Sequence, residues 1–379
     1  MRRILAILLC LMALSGVAAA EFIFVNPEED TYEGDSVVFS TAAPDPEGEP
    51  VDEGKTEILI TAAGDLTIGG NMRKNPSSNM YTDIVKAQEG DLAYFFAGVY
   101  DYFAQDDLTI VNFEGTLTLA TDHKDNTFCF RAPPEHVKIL PLSSIEAVAF
   151  ENNHVMDFKQ QGYDDTIAQF EAEGIVYATE AHMGVYEVKG VSIAMLAYQT
   201  FNGQYPRLLE QVPQDIAAAR AEHDIVIVSY HWGDEKEFAP NDNQVKLGRA
   251  TIDAGADLVL GHHSHRINPI EEYNGKYIVY SLANSSFSGN SKPDNMDTFL
   301  FQQKFIVEEG EVSNGGFRII PCSISSISAE KDSASEQNDL AVTPFSPGGK
   351  GAQRVIDTML KYGEKLEYAV TDYPTEWAE

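Results

Sequence analysis

Seven short runs of apolar, largely β-branched residues recur along the chain: EILITAA (57–63), LTIVNF (108–113), EAVAF (146–150), VSIAMLAY (191–198), DIVIVSY (224–230), ADLVL (256–260) and KYIVYSL (276–282). Most are apolar at consecutive rather than alternate positions, the pattern of strands covered on both faces. Between them, segments near 79–102, 133–142, 163–173, 215–222 and 241–254 show helical spacing and helix start signals. Strands alternating with helices predict an α/β sheet with helices on its faces. Two later runs, 299–307 and 317–321, have no helical segment between them and predict an antiparallel or mixed addition. From 323 to 349 the chain turns Ser-, Asp- and Pro-rich, and a last amphipathic helix is predicted near 353–368. There is no internal repeat.

The two ends of the chain read differently from this middle. Residues 1–20, MRRILAILLCLMALSGVAAA, place Arg2 and Arg3 before an apolar core and a small-residue run before Glu21. This predicts an export signal, cleaved to give a secreted or cell-surface protein, with an uncleaved membrane anchor as the alternative. Residues 21–55 are acidic and rich in Pro and Gly, which predicts a flexible lead-in. The catalytic or binding domain is then expected over 56–325, followed by a polar linker and the last helix over 326–379. Beyond Cys10 in the signal, only Cys129 and Cys322 remain, as a single disulfide or as buried thiols. The net charge of −33 repels polyanions and argues against nucleic acid as a partner.

Candidate chemistry gathers at one kind of place. Asp65 follows the first apolar run, Asn112 and Glu114 close the second, and Asn153 and His154 follow the third. His231 ends DIVIVSY, and three of the nine histidines, His262, His263 and His265, follow ADLVL. Loops beyond strand C-termini converge on one crevice in an open α/β sheet, so these residues are expected to meet. Alternation along an extended GHHSH segment puts His263 and His265 on one side, suited to metal ligation, and His262 on the other. A buried Glu114 needs a cation or a hydrogen-bonded partner. His154, oriented by Asp157, suits proton transfer. Gly64, Gly69 and Gly70 around Asp65 permit a tight backbone path, but their spacing and the missing Lys do not fit a phosphate loop. No G-x-S-x-G elbow is present and neither later cysteine has a neighbouring histidine, so a metal-activated water is the expected nucleophile.

In order and spacing, AAGDLTIGG, TIVNFEGTLT, FENNHVMDFKQQGYDDT, YHWGDE and GADLVLGHHSHRINPIEEYNGKYIVYSL resemble the CapA-like family linked to poly-γ-glutamate capsule synthesis. That family is similar to the calcineurin-like metallophosphoesterases, and the resemblance spans roughly 57–287. It implies a four-layer α/β/β/α sandwich with two divalent ions, Mn, Zn or Fe. By motif, Asp65, Glu114, Asn153, His231, His263 and His265 would be metal-site residues and His154 the charged or proton-donating partner. Arg131, Tyr280, Ser281 and Asn284 would line or brace the site.

Several positions depart from the pattern. Thr67 stands where metallophosphoesterases have the histidine of Asp-x-His, Ser264 replaces a proline, Ala283 a glycine, and Asn71 stands where an arginine often follows the glycine. The implied function is an exported metal-dependent hydrolase acting on capsule or cell-envelope polymer, through a phosphoester or a γ-glutamyl amide. The alternative is a non-catalytic accessory protein or scaffold working with membrane polymer-synthase subunits. A ligand-binding envelope protein with a purely structural metal is a third possibility.

Overall fold

The computed structural model describes residues 54–72, 80–201 and 203–378. The expected export signal and nearly all of the acidic lead-in lie outside the described residues. Each of the seven apolar runs contains a strand, and the strands form two large sheets. In the first sheet, Lys55–Thr67, Leu108–Phe113, Ala147–Ala149 and Val176–Ala178 run parallel. The hairpin of Asp297–Glu308 and Glu311–Ser323 extends it antiparallel, as the two late apolar runs predict. The second sheet has the same plan. Val191–Gln199, Ile225–His231, Leu258–His262 and Lys276–Val279 are parallel, flanked by antiparallel Gly184–Val188 and Ile270–Tyr273.

Successive residues of a strand go to different cores, which is why the runs are apolar throughout. Ile58, Ile60 and Ile110 of the first sheet meet Ile193, Ile227, Leu258 and Leu260 of the second in a core between the sheets. Their neighbours Ala63, Val111 and Val148 instead pack outward against Phe95, Phe103 and Phe170. On the far side Val226, Val228 and Val259 pack against Leu208, Val212, Ile216 and Leu247. Helix, sheet, sheet and helix thus stack in four layers.

Several elements differ from expectation for local reasons. The stretch near 79–102 is three pieces, Met80–Ala87, a 3₁₀ turn Ala93–Phe96 and Tyr100–Phe103. Left-handed Glu89 and Gly90 (φ 55° and 91°) end the first helix, with Gly90 N donating to the Val85 carbonyl. The helix expected near 215–222 starts earlier, as Tyr205–Arg220, with Pro213 inside it. The helix expected at 241–254 is Asp242–Asp253, started by a capping box between Asn241 and Gln244. The segment after 325 belongs to the same core rather than trailing from it. Thr343–Pro344 pairs with Glu311–Ser323, and Val355 and Met359 of helix Lys350–Gly363 join the inter-sheet cluster. Cys129 and Cys322 are buried thiols, each donating to a backbone carbonyl, of Lys124 and Ile320, rather than forming a disulfide. Among the described residues, no helix is long and apolar enough to cross a membrane.

Candidate metal centre

Two glycines let the strand ends close on each other. A Cβ on Gly64 would lie 2.3 Å from the Ala283 carbonyl oxygen, and one on Gly261 would lie 2.1 Å from the Tyr280 carbonyl oxygen. Both distances are inside van der Waals contact, so only glycine fits. The result sets Asp65, which follows Gly64, against His262, which follows Gly261. Ala283 itself is held at φ 58° and its carbonyl accepts from Asp65 N at 2.9 Å. A glycine is the natural residue for that conformation.

Asp65 is fully buried and stands at the centre of a donor network. Its Oδ1 accepts from Asn112 Nδ2 at 2.9 Å, and its Oδ2 accepts from His263 N at 3.1 Å. His262 Nδ1 lies 3.4 Å from Oδ1 and His265 Nδ1 lies 3.2 Å from Oδ2. Burial by itself would raise the Asp65 carboxyl, but the imidazoles of His262 and His265 outweigh it and hold it well below the usual range.

Glu114 is the opposite case. It is 1% exposed, and neither carboxylate oxygen has a hydrogen-bond partner. Its nearest charged neighbours are His154 Nε2 at 3.6 Å and His265 Nε2 at 3.9 Å from Oε1. Burial pushes its carboxyl up to about 7. Glu114 and Asp65 in turn lift His265, against the effect of burial, to about 9.

One donor atom from each of Asp65, Glu114 and His265 falls within 4.8 Å of the others. Two carboxylates and an imidazole, with both Glu114 oxygens unpartnered, fit a divalent ion, which would fill the coordination that Glu114 lacks. Asn284 Oδ1 accepts from His265 Nδ1 at 2.8 Å, which turns Nε2 toward Glu114.

His231 and His263 meet at the same strand ends, with His231 Nε2 and His263 Nδ1 3.0 Å apart. Burial holds both low, His263 at about 4, so they are neutral and able to ligate. Asn153 Oδ1 is buried without a partner in the turn between Asn152 and His154.

His154 Nδ1 and Asp157 Oδ2 are 2.7 Å apart, and the same oxygen accepts from Phe130 N at 2.7 Å. Burial opposes charge on His154, but Asp157 and Glu114 prevail and raise its pKa. Asn112 binds no backbone at the site. Instead it bridges Asp65 to Asn152, whose Nδ2 donates to the Asn112 side chain at 3.2 Å and to the Phe113 carbonyl at 2.7 Å. Phe130, whose ring centroid is 4.5 Å from that of His154, is an addition to the expected set.

Alternation fails for the histidines. His262 is the last residue of its strand, on the inner face with Leu258 and Leu260, and it sits beside His231 in register. His263 and His265 then take φ of 91° and 53°, so the chain is not extended: the rings of His262 and His265 reach Asp65, while His263 meets it through its backbone N and turns its ring to His231. The parity of Leu258 and Leu260 was the available signal that His262 faces inward.

Two expected lining residues are elsewhere. Tyr280 packs outward against Trp232 and donates to Glu271 Oε2 at 2.7 Å. Arg131 caps the Ala120 carbonyl and lies over Phe158, bracing a loop rather than reaching the carboxylates. Ser281 does brace the site. Its Oγ is 2.9 Å from that of Ser264, within the histidine loop, and it accepts from Ala283 N at 3.2 Å.

Residues 59–288 match a protein family described as "Bacterial capsule synthesis protein PGA_cap". The chain belongs to that family. Among PGA_cap relatives, the "PGA biosynthesis protein CapA" of Bacillus subtilis (strain 168) is 34% identical over 228 residues, 55% of this chain and 60% of that protein. The "Capsule biosynthesis protein CapA" of Bacillus anthracis is 27% identical over 257 residues, 61% of this chain and 60% of that protein. The "Probable polyglutamine synthesis accessory protein Rv0574c" of Mycobacterium tuberculosis (strain ATCC 25618 / H37Rv) is 30% identical over 204 residues, 46% of this chain and 54% of that protein. The chain thus spans less than two thirds of each relative's length. It is also similar to the crystal structure of the calcineurin-like phosphoesterase YfkN from Bacillus subtilis, at a TM-score of 0.42 and 14% identity over 81% of this chain and 99% of that one. Within PGA_cap, every residue of the acidic and histidine cluster described above lies inside the matched span.

Proposed function

We propose that this PGA_cap protein is an exported, metal-dependent hydrolase acting on capsule or cell-envelope polymer. The observation that carries the reading is Glu114, buried with both oxygens unpartnered beside Asp65 and His265. Divalent ions held by Asp65, Glu114 and His265, and by His231, His263 and Asn153, would act as Lewis acids and make water a nucleophile at neutral pH.

The remaining steps fall to the chain's own residues. With its Nδ1 proton held by Asp157, His154, whose side chain is 12% exposed, presents Nε2 toward Glu114. With Asp157 accepting from Nδ1, the ring can carry a second proton at Nε2 and give it to a leaving oxygen or nitrogen. Phe130 packs on that ring and excludes water from one side. The PGA and capsule biosynthesis named in the Bacillus relatives supports a polymer substrate, phosphoester or γ-glutamyl.

The test is hydrolysis of phosphoesters and γ-glutamyl peptides by metal-loaded protein. His154→Ala should keep its metal and lose ~10²–10⁴-fold in turnover. A folded, metal-loaded His154→Ala protein with undiminished turnover would remove the assignment. The name of the Mycobacterium relative supports a second reading, an accessory protein of a polymer synthase. No hydrolysis by the unmutated protein, with normal polymer output from the variant in cells, selects that reading.

A further inference from the structure

We propose that His262 is a ligand of the ion held by Asp65. The proposal rests on the divalent-ion reading above and extends it to a residue whose place in the strand, not its motif, puts it there.

Several observations converge on His262. The ring is 2% exposed, and neither Nδ1 nor Nε2 has a hydrogen-bond partner. A buried imidazole with both nitrogens unmet is uncommon, since buried polar atoms are nearly always satisfied. Its Nδ1 is 3.4 Å from Asp65 Oδ1, a contact that meets no hydrogen-bond geometry but is within the spacing of two ligands on one ion.

The backbone fixes where the ring can go. Trp232 N donates to the His262 carbonyl and Leu282 N donates to the Gly261 carbonyl, so the strand end is pinned from both sides. Parity with Leu258 and Leu260 directs the ring between the sheets, beside His231.

The alternative donor on the Asp65 strand is committed elsewhere. Thr67 Oγ1 donates to the Glu114 carbonyl at 2.9 Å. The chain therefore offers Asp65 a nitrogen from across the sheet gap, where a side chain two residues along its own strand does not serve.

A histidine that only fills space would behave differently from a ligand, and zinc binding separates the two. Zn²⁺ affinity is measured by competition with a chelator on the full chain, unmutated and as His262→Gln, His262→Ala and Glu114→Gln. His262→Gln keeps the bulk and a polar tip, and its metal-free thermal midpoint checks the fold. The proposal expects a loss of at least ~10-fold in affinity for both His262 variants, by comparison with the 10–100-fold typical of residues that only support ligands. It also expects the visible spectrum of the Co²⁺-loaded protein to change.

In the unmutated protein, the His262 ring ¹⁵N resonances should move on zinc addition, a readout that needs no variant to fold. Unchanged His262 resonances, or a folded His262→Gln protein with the affinity and Co²⁺ spectrum of the unmutated chain, overturn the proposal while Glu114→Gln still loses zinc. If the unmutated chain binds no zinc, or Glu114→Gln binds it equally, the divalent-ion reading falls and this proposal with it.

Discussion

Two buried glutamates show how differently this fold treats the same side chain. Glu271, fully buried in strand Ile270–Tyr273, is ringed by donors: the Arg249 guanidinium, the Tyr280 hydroxyl at 2.7 Å and Tyr368 N at 3.3 Å. Glu114, 1% exposed after strand Leu108–Phe113, has no donor at all. An ionised carboxylate out of water is costly unless paired and hydrogen-bonded. Glu271 has been given its counter-charge by the sequence and serves to fasten the C-terminal segment to the second sheet. Glu114 has imidazoles 3.6 and 3.9 Å away but no hydrogen-bond donor, which leaves both of its oxygens open to a ligand from outside the chain. The lesson is that a buried charge is informative about function through its missing partners, not through burial alone.

The comparison can be broken most forcefully at Glu271. Glu271→Ala leaves Tyr280 without its acceptor and Arg249 with only Glu367, and should cost about 3 kcal/mol of unfolding free energy, the low end for a broken buried ion pair. Urea unfolding reads the loss, and metal affinity should not change. A loss of affinity without a loss of stability would mean that the two glutamates have been assigned the wrong way round.

Asn284→Ala sharpens the other side. It removes the acceptor that orients His265, and metal affinity should fall ~10–100-fold with little change in the metal-free protein's stability. Titration with Zn²⁺ or Mn²⁺ measures it.

A third kind of carboxylate, half-buried, lies at the opposite strand ends. Burial pushes Asp106 up to about 8 and Glu146 up to about 7, although Thr109 donates to both. Their folded pKa values exceed the unfolded values of about 4, so the fold binds more protons between about pH 4 and pH 8. The stability contributed by these protons is fully present below about pH 4 and is lost as pH rises toward 8. Asp106→Asn should flatten that decline, read as the urea midpoint against pH. An unchanged slope would show that Asp106 titrates alike in the folded and unfolded chain.

The smallest effect is expected at Ala283, where φ 58° disfavours any residue with a Cβ. Ala283→Gly should stabilise the protein by about 0.5–1 kcal/mol, read in the same unfolding experiment. A destabilised variant would show that the Ala283 methyl packs better than its backbone strain costs.

These residues also mark where sequence reading succeeds. The sheets were legible because both faces of each strand are covered, so Ile110 and Val111 are alike apolar although they face different cores. The convergence of Asp65, Glu114, His154, His231 and the GHHSH histidines followed from their common place after strands. Short partners without an apolar signature, such as Asn284–Phe287, were not legible, because their pairing with Lys55–Thr67 is set by distant contacts. The histidine loop misled for a local reason. Alternation presumes extended backbone, and positive φ at His263 and His265 turns rings inward that an extended chain would separate. Tyr280 was misplaced because its motif neighbours Ser281 and Asn284 do face the site while it lies on the opposite strand face, paired with Glu271.

The most direct test of the central claim is the effect of metal on unfolding free energy for the unmutated chain and for Glu114→Gln. Binding to the folded state alone adds about 2.7 kcal/mol when free metal is 100-fold above Kd. The unmutated protein should gain that amount with Zn²⁺ or Mn²⁺. Glu114→Gln should gain almost nothing at the same concentration, while being no less stable than the unmutated chain without metal. Equal gains in both proteins, or a metal-free Glu114→Gln protein as destabilised as Glu271→Ala, would contradict the claim that Glu114 is held for an ion.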